Sequence, residues 1–179
     1  MKFTPTKLAG VWLVDQERRG DERGWFARTW CAEEFIKHGL NPKLSQCSAS
    51  FNQRRGTLRG MHYQVAPLEE AKLVRCVRGA VFDVALDLRP ASPTFRQWAS
   101  ADLTPDNGRA LYVPEGCAHG FQTLADDTEI LYQISAPWQS ASARGVRWND
   151  PAFGIAWPLA GEALLNDRDR DLPDFPGQP

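Results

Sequence analysis

Short strand-forming runs, separated by turn residues, follow one another along this chain of 179 residues. Valine, isoleucine, leucine and aromatic residues favour strands, whereas glycine, proline, asparagine and aspartate favour the turns between them. The runs are residues 11–14, 25–30, 44–51, 72–78, 80–88, 95–103, 110–113, 119–124 and 128–135. Their roughly regular spacing predicts an all-β fold, either a sandwich or a barrel.

Three local features refine this prediction. Residues 32–38 are the best candidate for a short helix, because Gly39 follows them as a left-handed cap. The runs at 72–78 and 80–88 are separated by Gly79 alone, which predicts a β-hairpin at that glycine. After Trp138 the chain is rich in turns, and we expect it to wrap around the barrel.

The composition restricts the size of the domain and the class of partner. A chain of this length with 42% hydrophobic residues can form one domain, residues 1–179, around a sizeable core. The formal net charge of −1 argues against binding to nucleic acid. The start of the sequence lacks the apolar region of a signal peptide, and no apolar run is long enough to span a bilayer. We therefore expect a cytoplasmic protein that does not enter a membrane.

Two of the three histidines lie in glycine-containing segments that we expect to line one pocket inside the barrel. His62 belongs to residues 56–64, GTLRGMHYQ, and His119 belongs to residues 112–121, YVPEGCAHGF. Gly108, Pro114, Gly116 and His119 have the spacing of the second cupin motif, with Thr123 in place of its terminal asparagine.

The first cupin motif needs a His-x-His pair as metal ligands, and here the matching residues are His62-Tyr63-Gln64. Because one ligand is missing, we expect a pocket without a metal ion. Two imidazoles assisted by a carboxylate could still hold a metal, and this remains the alternative.

A buried neutral imidazole can take a proton at physiological pH when a carboxylate orients its second nitrogen. Residues 166–171, NDRDRD, contain three aspartates, and spacing alone does not choose among them. Lys72 could present a cation to a developing oxyanion, and Tyr132 could supply an opposing acid. Taken singly, a strand tyrosine more often packs in a core and a strand lysine is usually solvated.

Eight segments, taken together and in order, are much more specific than any single residue. They are residues 21–26 (DERGWF), 56–64 (GTLRGMHYQ), 71–76 (AKLVRC), 81–84 (VFDV), 92–95 (SPTF), 114–121 (PEGCAHGF), 148–151 (WNDP) and 165–169 (LNDRD). This set resembles the dTDP-4-dehydrorhamnose 3,5-epimerase family over residues 8–173. The resemblance implies a cupin-type jelly-roll β-barrel with a few short peripheral helices, without metal or cofactor. It also implies a homodimer with exchanged N-terminal strands and a nucleoside-diphosphate 4-keto-6-deoxyhexose as substrate.

The resemblance further implies roles for individual residues. His62 would remove the proton beside the ketone, Asp169 would pair with His62, and Tyr132 would deliver a proton to the opposite face. Lys72 would stabilise the enolate. The substrate-binding residues would be His119 near the sugar, Arg59 and Arg23 at the diphosphate, and Phe26, Arg28, Gln46, Ser48 and Trp138 around the base and sugar. Arg23 would come from the partner subunit.

Three residues depart from the common family pattern. Arg28 stands where glutamate is common and Ser48 where asparagine is common, both in the expected nucleobase region. A carboxylate accepts a hydrogen bond from a base N–H, whereas a guanidinium only donates, so the nucleobase is left open. Trp138 replaces a common tyrosine near the sugar, which leaves open whether C3, C5 or both carbons are inverted.

Two other functions are compatible with the same scaffold. A sugar-nucleotide 3,4-ketoisomerase would reuse a histidine base but move the carbonyl group. A non-catalytic sugar-nucleotide binding module would keep the barrel without turnover. The presence of His62, Asp169, Lys72 and Tyr132 together favours the epimerase over the binding module.

Overall fold

Two antiparallel sheets form the body of the molecule in this computed structural model, which describes residues 1–176. The first sheet has six strands, in the spatial order β1 (Lys2–Pro5), β2 (Trp12–Asp15), β10 (Arg109–Val113), β7 (Lys72–Arg78), β12 (Thr128–Ile134) and β5 (Gln46–Asn52). The second has five, in the order β13 (Ala143–Gly145), β6 (Leu58–Gln64), β11 (Cys117–Thr123), β8 (Val81–Asp87) and β9 (Trp98–Leu103).

Regular structure outside the two sheets is short. A hairpin pairs β3 (Arg19–Asp21) with β4 (Gly24–Phe26). The helices are α1 (Ala32–Lys37) and α2 (Asp167–Arg170), and a single 3-10 turn covers Ala160–Glu162. No helix within residues 1–176 is long and apolar enough to cross a membrane. The prediction of an all-β, cupin-type jelly roll with a few short helices is confirmed.

Apolar side chains from both sheets meet in a shared core, one of three clusters of buried apolar residues within residues 1–176. Val74, Leu111 and Ile130 from the six-stranded sheet pack with Ala85 and Phe121 from the five-stranded sheet, and all are at most 1% exposed. Burying one such large side chain stabilises a fold by about 1.5–3 kcal/mol relative to leaving it in water. This core fills one part of the space between the sheets and sets their separation.

The predicted hairpin at Gly79 is wrong. The strands on either side of this glycine lie in different sheets, since β7 pairs with β10 and β12 whereas β8 pairs with β9 and β11. Gly79 has a φ of +78°, and a Cβ at this position would lie 2.2 Å from Oγ1 of Thr128. The glycine therefore permits a close packing contact at the point where the chain crosses between the sheets, a role that the local pattern does not distinguish from a hairpin turn.

The predicted strand at residues 25–30 is also shorter in the structure, where β4 ends at Phe26. Within residues 1–176 no further strand pairs with the β3–β4 hairpin, and its aromatic residues are exposed, Trp25 by 55% and Phe26 by 77%. The Arg18 guanidinium lies over the Trp25 ring, 4.3 Å from the ring centroid. A bulky apolar run thus gives a short surface hairpin and not a core strand.

A buried carboxylate at the end of β8 holds the following loop. Both oxygens of Asp87, which is fully buried, accept hydrogen bonds from Arg89, and Oδ2 also accepts from Ser92 and Thr94. Burial alone would raise the pKa of Asp87, but these donors lower it from 3.8 to about 2. Arg89 also donates to the carbonyl of Ala9, so the carboxylate ties the loop to the N-terminal segment.

We expect the Asp87→Asn substitution to lower the free energy of unfolding by about 2 kcal/mol near pH 7, because the ionised form of Asp87 is favoured in the folded state. The pKa is lower in the folded chain, so this stabilisation is present above pH 3.8 and is lost as the pH falls toward about 2. Urea unfolding at several pH values should show the difference between wild type and variant shrinking across that window. Asp102→Asn is the matched control, since Asp102 is exposed on β9. A difference that stays constant down to pH 2 would contradict this assignment.

Candidate active site

A cavity of about 550 Å³ opens between the two sheets. Nine of the twelve predicted site residues line it: Gln46, Ser48, Arg59, His62, Lys72, His119, Tyr132, Trp138 and Asp169. They come from both sheets, from the segment after β12 and from α2. Residues that are up to about 120 positions apart in sequence therefore meet in one concave site, as expected of a ligand pocket.

The two pocket histidines lie opposite each other on neighbouring strands. His62 on β6 and His119 on β11 are directly paired in the antiparallel register. Gly60 and Gly120 allow the backbones to approach closely beside this pair, because a Cβ on Gly60 would lie 2.6 Å from the Gly120 Cα. Both glycines are therefore needed for steric reasons, and the close approach of the two strands brings both imidazoles to the same wall of the cavity.

His62 forms a tight pair with the buried carboxylate of Asp169. The distance from His62 Nε2 to Asp169 Oδ1 is 2.7 Å, and the Gly60 N–H donates to Asp169 Oδ2 at 3.2 Å. The Asn166 side chain caps α2 by accepting from the Asp169 N–H, which fixes the position of this aspartate. Burial acts to raise the pKa of Asp169, but the hydrogen bond and charge of His62 hold it below its usual value. The aspartate at residue 169, among the three in the tail, is the one that meets the imidazole.

His119 forms a second pair, with Asp83 on β8, which sequence reasoning missed. His119 Nε2 lies 2.8 Å from Asp83 Oδ1, and Asp83 is fully buried. Burial raises the pKa of Asp83, and the charges of His119 and Lys72 oppose that rise. Within residues 1–176, the other oxygen of Asp83 has no hydrogen-bond partner. A carboxylate inside the apolar run of β8 was the available sequence signal, because buried charges are rare unless they are paired.

Tyr132 lies on the facing sheet. Its strand, β12, belongs to the six-stranded sheet, whereas His62 belongs to the five-stranded sheet. The phenol oxygen is 3.3 Å from the Ser50 hydroxyl, and the ring packs edge-on to His119 with centroids 6.0 Å apart. Burial raises the pKa of Tyr132, so the phenol stays protonated and able to donate. The imidazole of His62 and this phenol therefore line one cavity from opposing walls.

Lys72 begins β7 beside these groups and is 9% exposed. Its ammonium lies 2.9 Å from Oε1 of Glu70, a residue that the sequence analysis did not select. The ammonium also donates to the His62 carbonyl at 3.4 Å. The cavity thus contains a buried cation close to the backbone of the residue predicted to be the base.

The cavity mouth carries arginines. Arg59, Arg144 and Arg168 all line the cavity and are exposed, and within residues 1–176 none of them forms an ion pair. Arg59 Nε instead donates to the Asn52 side chain at 2.8 Å. Guanidinium groups with free donors at a cavity mouth suit an anionic ligand such as a phosphate.

The segment that carries Trp138 is fixed to the cavity wall by two glutamines. The Trp138 N–H donates to the Gln46 side chain at 3.1 Å. Gln64 accepts from the Gln139 N–H at 2.8 Å and donates to the Pro137 carbonyl at 3.1 Å. The Trp138 side chain is 55% exposed, so it forms a partly open edge of the cavity and not its floor.

Three predicted substrate-binding residues lie away from the cavity of their own chain. Arg23 pairs with Asp21 at 2.6 Å, and Arg28 pairs with Glu34 at 2.9 Å. Phe26, on the same hairpin, is exposed. Contacts between these residues and a substrate stay predictions. Arg23 is predicted to reach the site of the partner subunit.

One ring nitrogen of each pocket histidine is hydrogen-bonded to a carboxylate. Within the described part of the chain, no group of three or more His, Cys, Asp or Glu side chains is arranged to hold a metal ion. The arrangement found is instead an acid–base one, with His62 and Asp169 facing Tyr132 across the cavity and an ammonium between the walls. The fold and site define a cupin-type barrel enzyme suited to proton transfer at carbon.

Comparisons with known proteins identify the family. Residues 5–176 match the family model described as dTDP-4-dehydrorhamnose 3,5-epimerase. A dTDP-4-dehydrorhamnose 3,5-epimerase from Sinorhizobium fredii is 43% identical over 175 residues, which cover 98% of this chain and 90% of that protein. The crystal structure of the dTDP-4-dehydrorhamnose 3,5-epimerase from Elizabethkingia anophelis has a TM-score of 0.95 and 33% identity, covering 98% of this chain and 96% of that one.

A third relative was solved with a ligand. It is the dTDP-6-deoxy-D-glucose-3,5-epimerase from Legionella pneumophila in complex with dTDP-4-keto-L-rhamnose, with a TM-score of 0.89 and 31% identity over 97% of this chain and 98% of that one. The chain belongs to the dTDP-4-dehydrorhamnose 3,5-epimerase family. It is a sugar-nucleotide epimerase, an isomerase, and the resemblance read from the sequence is confirmed.

Proposed function

We propose that the protein inverts C3, C5 or both carbons of a nucleoside-diphosphate 4-keto-6-deoxyhexose by removing and replacing the proton next to the ketone. The observation that carries this proposal is that His62 and Tyr132 line one cavity from opposite sheets, with Lys72 beside them. Inverting a carbon requires one group that takes a proton from one face and another that gives a proton to the opposite face.

His62 is the base in this reaction. Its Nε2–H donates to the ionised Asp169 carboxylate, which fixes the tautomer and leaves the lone pair of Nδ1 free to take the substrate proton. Asp169 stabilises the imidazolium that then forms. The low pKa of Asp169 keeps this carboxylate ionised near neutral pH.

The electron pair left on carbon moves to the ketone oxygen and forms an enolate. The Lys72 ammonium stabilises this oxyanion in a site that is largely shielded from water. Tyr132 then delivers its phenolic proton to the opposite face of the same carbon, and the carbonyl reforms. The protonated His62 and the Tyr132 phenolate return to their starting states by proton exchange with solvent. His119, held by Asp83 on the same wall as His62, contacts the sugar.

The diphosphate binds at the cavity mouth. Arg59 contacts it, and Arg23 of a second copy of the chain completes the site. Two copies associate as a homodimer with exchanged N-terminal strands. The exposed aromatic residues of the β3–β4 hairpin and the exposed Phe51 and Leu131 on the six-stranded sheet support such an interface.

The nucleobase lies near Gln46 and Ser48, with Phe26 and Arg28 approaching it from the partner, and Trp138 lies near the sugar. The Arg28 guanidinium only donates hydrogen bonds, so it favours a base edge that presents acceptors. The sugar and diphosphate contacts involve other residues, and the reaction at the ketone does not depend on which base is bound.

We expect the purified protein to exchange solvent deuterium into C3, C5 or both of a 4-keto-6-deoxy sugar nucleotide. NMR spectra of dTDP-, GDP-, CDP- and UDP-linked ketosugars would measure this exchange. His62→Ala should abolish this exchange because it removes the base. His38→Gln is the matched control, since His38 packs on Phe3 away from the cavity. Exchange at neither carbon with any nucleotide would favour a binding module, and a shifted carbonyl would favour a 3,4-ketoisomerase. Full activity in His62→Ala would overturn the assignment of the base.

We expect His62→Ala and Arg23→Ala each to be nearly inactive alone, and to recover activity when the two proteins are unfolded and refolded together. In a mixed dimer, the site that combines the intact His62 of one copy with the intact Arg23 of the other is complete. Random pairing would restore about a quarter of wild-type activity, because half of the dimers are mixed and each has one complete site. No recovery, with mixed dimers shown by mass spectrometry, would contradict the sharing of Arg23.

A further inference from the structure

Glu70 is a buried carboxylate in the cavity wall whose presence the reaction above does not explain. It lies two residues before β7, it is 8% exposed, and it lines the same cavity as His62 and Tyr132. An ionised carboxylate seldom occupies such a position unless its oxygens are paired.

Both oxygens of Glu70 have partners. Oε1 lies 2.9 Å from the Lys72 ammonium, and Oε2 accepts from the Gln64 side-chain amide at 3.0 Å. The carbonyls of Leu68 and Pro137 also lie 3.0 and 3.1 Å from the same amide nitrogen of Gln64, so its two N–H groups are shared among three acceptors. The carboxylate is therefore held by a side chain that is itself anchored to two backbone segments, and its orientation is fixed.

The Lys72 ammonium has three N–H donors. One faces Glu70, and one donates to the His62 carbonyl at 3.4 Å. The third is free to donate into the cavity that Lys72 lines. A lysine on its flexible four-carbon stem would otherwise sample several rotamers, so two fixed acceptors determine where its charge lies.

We propose that Glu70 is a positioning residue that acts through Lys72, holding the charged ammonium at the point where the enolate oxygen forms. This inference rests on the proposed function, because it assigns Glu70 to the stabilisation of the same enolate. Glu70 does not touch the substrate in this account. Its contribution is to orient Lys72 and to compensate its charge inside a buried site.

Glu70→Gln tests this inference, since it removes the charge while keeping the size of the side chain. We expect kcat for epimerisation to fall at least about tenfold and KM to change less than about threefold, because the loss falls on the transition state. Glu70→Asp, which keeps the carboxylate, should retain more activity than Glu70→Gln. Glu69→Gln is the matched control, since Glu69 is exposed at the adjacent position, and it should behave as wild type.

A double-mutant cycle separates positioning from a merely structural role. If Glu70 acts through Lys72, adding Glu70→Gln to Lys72→Met should cause no further loss in the rate of deuterium exchange. An additional loss of the same size as in the wild-type background would overturn the inference. The inference would also be overturned if Glu70→Gln had the kcat and the melting temperature of the wild type.

A readout without substrate distinguishes this inference from the proposed function. In ¹H–¹⁵N spectra at low temperature, the Lys72 ammonium should give a protected signal in the wild type that is lost in Glu70→Gln. If the signal persists in the variant, the positioning role is rejected. If the signal depends on Glu70 but the wild type exchanges no deuterium into any ketosugar, the ion pair is supported and the proposed reaction is rejected.

Discussion

The contact between Asp169 and His62 is the interaction on which the rest of the site depends. It joins the C-terminal helix to β6 through a 2.7 Å hydrogen bond, and the Gly60 N–H adds a second contact to the same carboxylate. Because the carboxylate is buried and ionised, it determines which imidazole nitrogen carries the proton and which faces the cavity. The turn-rich tail of the chain therefore completes the wall of the cavity as well as covering the barrel.

The cavity is built from paired charges. Asp169 faces His62, Asp83 faces His119, and Glu70 faces Lys72. Pairing keeps each buried charge from being left without a partner, which would cost several kcal/mol, and it fixes the direction of each reactive group. The acidic groups of the interior are used within these pairs, whereas the arginines at the mouth keep free donors for a ligand. A polar interior and a cationic entrance together suit a sugar attached to a diphosphate.

The sequence predicted the all-β fold. It also predicted most of the residues that line the cavity, but only those that a motif marks. His62 and His119 stand in glycine-rich segments with a recognisable spacing, and both are in the cavity. The sequence did not indicate Asp83 and Glu70 as site residues. Asp83 pairs with His119 on another strand and Glu70 pairs with Lys72 two residues later, and both pairs form only in the packed barrel. Spacing likewise did not choose Asp169 among three tail aspartates, since that choice depends on how Asn166 caps the last helix. The predicted hairpin at Gly79 is wrong for a related reason, because strands that are neighbours in sequence need not be neighbours in a sheet.

The most direct test of the central claim is the behaviour of Tyr132→Phe in deuterium oxide. If His62 takes the proton from one face and Tyr132 returns one to the other, this variant should still exchange deuterium into recovered substrate. Its rate of inversion should fall at least about 100-fold, because the acid on the opposite face is missing. Inversion at the wild-type rate, or loss of exchange together with inversion, would contradict a mechanism that uses two groups on opposing walls.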